Sequence, residues 1–349
     1  MSNNQKMKAV GAYRYLDLSD PESLVDLFIE KPIPTGRDLL VEVKAISVNP
    51  ADLGVRKNNN YEKESPKILG WDVAGIVEQV GPDCQLFKPG DEIYYAGSVT
   101  RPGGNSEFHL VDERIAGNKP KSLDFAQAAA LPLTSITAWE GLFDRLGISH
   151  SAEENKNKSL LIIGAAGGVG SIATQLAKLA GLTVIGTASR PESIQWTINQ
   201  GADFTINHNN DFAPQLKKIG FETVDYIFCL NDTIQHFANM AEVIAPQGKI
   251  CSIVPANKAS WTGSLDMDLL FAKSITFVWE LMFTRSMFQT KDMIKQHDLL
   301  NKLADLIDNG KLKTTLTERL EPINAANLRL VHEKVETGRS IGKIVLENF

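Results

Sequence analysis

Residues 160–181 constrain this chain more than any other stretch. A continuous apolar run at 159–164 (SLLIIG) has the character of a buried parallel strand. It leads into Gly164-Ala165-Ala166-Gly167-Gly168-Val169-Gly170, and 168–181 then follows helical periodicity. Glycines recur at 164, 167 and 170. Three such glycines serve a tight turn, close backbone approach to a pyrophosphate, and close packing of helix on sheet. The helix start offers free N–H groups and a positive dipole end to phosphate. A second strand, 183–187 (TVIGT), ends about 20 residues after the loop, which is the context this motif requires. The pattern implies a bound dinucleotide, with Gly164, Ala166, Gly167, Gly168, Val169 and Gly170 as its cofactor-binding loop. The bland alternative is a helix-packing turn that binds nothing.

The end of the second strand selects the dinucleotide. A carboxylate there would hold the ribose 2′-hydroxyl of NAD. The sequence is instead Gly186-Thr187-Ala188-Ser189-Arg190-Pro191, with no acid before Glu192. Ser189 and the forked donor Arg190 suit the extra phosphate of NADP. A solvated arginine at a helix start is the competing explanation.

The 349 residues suit two domains. Residues 1–126 show short alternating strands, such as 38–48 (DLLVEVKAISV), punctuated by Gly/Pro turns, as in a β-rich domain. From 127 to 287 strands and helices alternate: 159–164, 183–187, 204–207, 226–230 and 249–254 are strands with helices between them. That series implies an α/β fold with a doubly wound parallel Rossmann sheet. A further strand is expected at 275–283, helices at 134–146, 292–309 and 324–337, and a last strand at 341–346. A net charge of −6 argues against nucleic-acid or membrane-surface binding, which call for basic fields. No apolar run reaches the roughly 18 residues of a membrane span, no secretory h-region is visible, and the three scattered cysteines imply no disulfide framework. A reducing, cytoplasmic setting is the expectation.

Several motifs together resemble the medium-chain dehydrogenase/reductase superfamily. They are Val48-Asn49-Pro50-Ala51-Asp52, Gly70-Trp71-Asp72-Val73-Ala74-Gly75, Val77-Glu78-Gln79-Val80-Gly81, Phe87-Lys88-Pro89-Gly90-Asp91, Ala129-Ala130-Leu131-Pro132, Thr137-Ala138-Trp139, the glycine loop and Gly342-Lys343-Ile344-Val345-Leu346. The likeness spans nearly the whole chain. It is nearest to the quinone oxidoreductase branch, particularly bacterial members named zinc-type alcohol dehydrogenase-like. The resemblance implies a GroES-like catalytic domain from 1–126 and 288–349, an inserted Rossmann NADP-binding domain at 127–287, an active site between them, and a homodimer joined through a strand such as 275–283.

In the zinc enzymes of this superfamily a cysteine, a histidine and a second cysteine bind the metal. Here the corresponding places hold Asn49, Trp71 and Leu133–Thr134. None suits zinc, which prefers thiolate, imidazole or carboxylate, and the four-cysteine structural lobe is absent. The six histidines form no metal-like pair. The expectation is an NADPH-dependent oxidoreductase without metal. Donors would stabilise an oxygen that gains charge as hydride arrives. Asn49, Tyr61 and Thr134 are the candidate catalytic donors, although Asn49 could equally be a turn residue. Such donors suit a quinone or α,β-unsaturated carbonyl, whose charge delocalises, better than a simple ketone. Asp52, Trp71, Trp279 and Phe283 are candidate pocket residues. Asp52 could instead order its loop or pair with Arg56, Trp71 could fill core space, and Trp279 and Phe283 could belong to the core or a dimer strand. Val254, placed after the sixth sheet strand, and Lys343, in the closing motif, join the cofactor-binding set. His109 is a weak candidate on a strand facing the cleft. The alternatives are a zinc-dependent alcohol dehydrogenase with unusual ligands, and a non-catalytic NADPH-binding protein.

Overall fold

The computed structural model describes residues 5–58, 65–255 and 266–349. The chain divides into two compact units, Met1–Ile136 with Phe283–Phe349, and Thr137–Met282. These divisions follow 136 and 282, where the sequence pattern places them after 126 and 287. Local tethers explain the difference. Leu133 N–H donates to the Asp72 carboxylate at 2.7 Å, and the Thr315 hydroxyl donates to the Ala130 carbonyl at 3.2 Å. The helix Phe125–Ala129 and the start of Pro132–Trp139 therefore stay with the β-rich unit. At the second division, Phe283 meets Trp71 edge-on, with ring centroids 6.3 Å apart.

The first unit is built on a seven-stranded sheet. Its order is Leu316–Leu320, Lys343–Glu347, Asp38–Ser47, Val73–Val80, Glu92–Tyr95, Ala116–Asn118, and Phe108–Asp112 also pairs with Asp38–Ser47. A three-stranded sheet, Val25–Glu30, Lys6–Ala12 and Lys67–Ile68, completes the β-rich unit. The long strand Asp38–Ser47 has neighbours on both edges, so the alternation seen in its sequence gives way to burial along most of its length.

The second unit carries a six-stranded parallel sheet in the order Phe204–Ile206, Thr183–Thr187, Ser159–Ile163, Val224–Cys229, Ile244–Ser252, Thr276–Trp279. Parallel strands covered on both faces read as unbroken apolar runs, and every residue of Ser159–Ile163 is buried. Leu161, Ile163, Ile185, Ile227, Phe237, Met240 and Ile250 form the core beneath one face. The chain leaves the central strand, Ser159–Ile163, on one side and later returns to the other. Ligands in such sheets bind outside the carboxyl ends of the strands at this reversal, and the glycine loop stands there. The expected helix at 134–146 is an α-helix, Pro132–Trp139, followed by a π-helix, Glu140–Arg145. The expected strand at 275–283 is shorter, Thr276–Trp279, and a helix, Thr284–Phe288, follows. No described helix is long and apolar enough to cross a membrane.

Candidate cofactor loop and buried polar cluster

The glycine loop begins with Gly164 at φ +85°, a left-handed conformation that glycine adopts without strain. Its N–H donates to the Thr187 hydroxyl at 3.0 Å, which ties the loop to the end of the second strand. The helix Gly168–Leu179 starts after Gly167, which caps it without a side chain. The first N–H groups of such a helix have no partner within it. Gly164, Ala166, Gly167, Gly168 and Val169 are half-buried, so this stretch of backbone is open on one side. A Cβ on Gly170 would lie 2.5 Å from the Gly164 carbonyl oxygen and 2.6 Å from Ala165 Cα, so close packing of the helix on the sheet requires glycine. A Cβ on Gly167 would meet nothing nearer than Gly164 O at 3.6 Å. Space therefore remains beside Gly167 for a phosphate, and the residues present fit a dinucleotide.

Ser189 and Arg190 are half-buried at the start of the helix Pro191–Asn199. Arg190 Nε lies 3.4 Å from the exposed Glu192 carboxylate. Val254 is half-buried, and its carbonyl accepts from the Thr233 hydroxyl at 2.5 Å. It follows the fifth strand of the sheet rather than the expected sixth: Ser159–Ile163 is first in chain order, Ile244–Ser252 fifth and Thr276–Trp279 sixth. Trp279 lies on that sixth, edge strand and is 47% exposed.

In the first unit the structure draws three expected site residues, Asn49, Asp52 and Lys343, into a buried cluster and adds one the sequence reading left without a role, Asp72. Asn49 N–H donates to Asp52 at 2.7 Å, and Gly70 N–H donates to the other Asp52 oxygen at 2.9 Å. Asn49 Nδ2 donates to Asp72 at 2.8 Å and, more weakly, to the Ser47 carbonyl at 3.5 Å. Lys343 Nζ reaches Val48 O at 2.9 Å, Asn49 Oδ1 at 2.5 Å and Asp72 Oδ2 at 3.1 Å. The three ammonium hydrogens of Lys343 are thus committed inside the cluster, against its expected place in the cofactor set. The Asn49 amide, expected to donate to substrate, donates to Asp72. Asp52 serves backbone N–H groups, while Arg56 donates to the Leu16 carbonyl at 2.7 Å.

The electrostatics follow from burial. Lys343 pairs with Asp72, Asp52 lies near enough to feel both charges, and all three are buried. Desolvation raises Asp52 to about 7, aided by the neighbouring Asp72 charge and opposed by Asn49 N–H, Lys343 and Gly70 N–H. Desolvation also raises Asp72, against Lys343, Leu133 N–H and the Asn49 amide. Lys343 is lowered by the same burial, and Asp72 and Asp52 oppose that shift.

Trp71 is fully buried and its Nε1–H donates to the Ser98 carbonyl at 3.0 Å. The Thr134 hydroxyl donates to the Leu131 carbonyl at 3.0 Å and is buried. Phe283 is buried against Trp71. Tyr61 lies outside the described residues. His109 is structural: its Nε2–H donates to the Pro102 carbonyl at 2.9 Å and its Nδ1 accepts from the Tyr95 hydroxyl at 2.9 Å. Burial holds that imidazole down at about 4. Among the described residues no group of three or more His, Cys, Asp or Glu is placed to hold a metal. The residues at the zinc-ligand places do not fit zinc by their donor chemistry.

Sequence reasoning also passed over His208, whose Nδ1 lies 3.3 Å from the Thr187 hydroxyl. Its signal was positional: it stands two residues after the third strand, next to the end of the second.

Residues 200–346 match the family described as Zinc-binding dehydrogenase, and 35–121 match the Alcohol dehydrogenase GroES-like domain. A Staphylococcus epidermidis protein named zinc-type alcohol dehydrogenase-like is 40% identical over 340 residues, 97% of this chain and 99% of that one. Human quinone oxidoreductase is 28% identical over 347 residues, 98% of this chain and 99% of its own. A solved Rhizobium etli CFN 42 structure, named after zinc-dependent alcohol dehydrogenases, is 50% identical, with a TM-score of 0.91 over 99% of each chain.

Proposed function

The chain belongs to the medium-chain dehydrogenase/reductase superfamily, and on that premise we propose that it reduces quinones or α,β-unsaturated carbonyl compounds with NADPH and without a catalytic metal. The observation that carries this reading is the donor chemistry at the zinc-ligand places. Asn49, Trp71 and Thr134 stand there, and their donor groups are used on Asp72, Ser98 and Leu131. When bound, NADPH supplies the hydride. The backbone N–H groups from Gly168 to Gly170 would hold its pyrophosphate, Ser189 and Arg190 its 2′-phosphate, and the Val254 backbone its carboxamide. Tyr61 is the hydroxyl assigned to the substrate oxygen, and Asn49 and Thr134, whose donor hydrogens are already used within the protein, act by positioning. Hydroxyl donors suffice where the incoming charge spreads over a conjugated system. The name of the human relative supports the same substrate class. Exposed Phe271, Trp279 and Leu281, on and beside an unpaired edge strand, support a homodimer through that edge.

The deciding experiment follows NADPH consumption with 9,10-phenanthrenequinone beside a simple aldehyde, with zinc content measured on the same purified sample. Quinone turnover without stoichiometric zinc is expected. Turnover of the aldehyde alone, tied to bound zinc, overturns the proposal. Binding of NADPH with no consumption across a panel of quinones and enones would make this a non-catalytic cofactor-binding protein.

A further inference from the structure

The inference concerns His208 and rests on the NADPH reading above. Strand Phe204–Ile206 pairs with Thr183–Thr187 in the register Thr187↔Ile206, which brings His208, two residues on, beside the Thr187 side chain. The Thr187 oxygen accepts the Gly164 N–H at 3.0 Å, and among the described residues the acceptor within reach of its own hydrogen is His208 Nδ1 at 3.3 Å, which assigns the hydrogen to that contact. A neutral ring that accepts at Nδ1 carries its proton on Nε2. That Nε2 has no hydrogen-bonding partner among the described residues, and the ring is half-exposed. The glycine loop, Thr187 and His208 thus form one hydrogen-bonded chain at the strand end where the 2′-position of the ribose is selected.

The charges around His208 are unbalanced. Burial lowers the imidazole below its ordinary value, and Arg190 lowers it further. Behind it stands His236, buried, with its ring centroid 6.3 Å away and Asp232 at the start of its helix. Asp211, three residues along the chain, stands at the start of the helix Phe212–Lys218 without a side-chain cap bond to it. Glu192 is paired with Arg190 and faces solvent. The Arg190 charge thus stands near enough to the imidazole to disfavour a positive charge on it. A dianion near both would reverse that balance.

We propose that His208 is a proton-coupled ligand of the NADPH 2′-phosphate, so that NADPH binding draws a proton onto this imidazole and NADH binding does not. The proton comes from solvent and enters at Nδ1. Nδ1–H then donates to the Thr187 oxygen, and the Thr187 hydrogen turns away. Linkage makes the effect reciprocal: if NADPH favours the imidazolium, acid favours NADPH.

Calorimetric titration of the whole protein with NADPH and with NADH, from pH 6 to 8 in two buffers of different ionisation heat, tests this. Expected is proton uptake with NADPH only, and an NADPH Kd that rises roughly three- to tenfold over that range. The phosphate's own second ionisation, near pH 6, works with the opposite sign. Wild-type protein therefore reports on the inference even without a variant. His208→Gln should abolish uptake and flatten or reverse the slope, while the NADH Kd stays unchanged. Proton release by the wild type, or the same uptake and slope in His208→Gln, overturns the role of His208 and leaves the NADPH reading standing. Equal affinity for NADPH and NADH at every pH, with no effect of Arg190→Gln, instead removes the 2′-phosphate site and this inference with it.

Discussion

Asn49 has an amide that could serve a substrate oxygen, but its polar atoms are already used within the protein. Its N–H is on Asp52, its Nδ2 on Asp72 and Ser47, and its Oδ1 on Lys343. Residue type alone left a donor and a turn residue equally open, and the neighbours make it the centre of a buried ionic frame. The frame depends on charge balance. Removing one partner of a buried pair strands the other charge and costs about 3–5 kcal/mol. Lys343→Met should therefore lower the unfolding free energy by about that much in urea titration. Adding Asp72→Asn should recover part of the loss, because the two residues are directly coupled. Additive losses would show that the pair at 3.1 Å is not the connection that matters.

The strand, loop and helix from Ser159 to Leu179 act as one element, and its glycines separate into two kinds. Gly170 is held by packing, with backbone atoms 2.5 and 2.6 Å from where a Cβ would sit. Gly167 has φ −74°, which any residue adopts, and free space beside it. Gly170→Ala should destabilise the protein by about 1–3 kcal/mol through overpacking, read as a lower thermal midpoint. Gly167→Ala should cost under about 1 kcal/mol of stability and weaken NADPH binding several-fold in a fluorescence titration. If Gly167→Ala binds NADPH as the wild type does, the open face of this loop does not hold the phosphates. The spacing of these glycines was legible in sequence because turn, approach and helix start are all local. Which glycine serves packing was not, because that depends on the distance between helix and strand.

For the molecule as a whole, the buried ionisable groups set the response to acid. Asp52 titrates at about 7 when folded, against 3.8 ordinarily. The native state thus holds the extra proton between those values, and this contribution to stability is present below about 4 and lost as pH rises through 7. His332 runs the other way. It is fully buried with neither ring nitrogen hydrogen-bonded among the described residues, and burial, helped by the Arg56 charge, lowers it to about 3. Between pH 3 and 6.5 the unfolded chain binds that proton more readily, so stability rises with pH across this window. Denaturation series from pH 4 to 7 should show the falling component vanish in Asp52→Asn and the rising one in His332→Phe. Identical slopes in wild type and variant would rule out that group as a source of the pH dependence.

Legible in the sequence were the glycine loop between strand and helix, the alternation that makes a parallel sheet, the β-rich segments flanking it, the missing acid after Thr187 and the unsuitability of Asn49, Trp71 and Leu133–Thr134 as zinc ligands. Each is a matter of residue type or short-range periodicity. What those side chains touch depends on contacts between segments far apart in the chain. Strand Lys343–Glu347 runs antiparallel to Asp38–Ser47 with Val345 opposite Ser47, which carries Lys343 alongside Asn49, 294 residues away in the chain. Parallel pairing likewise sets His208 beside Thr187. Burial then fixes the outcome, since a charge or amide removed from water must take whatever partner the fold supplies.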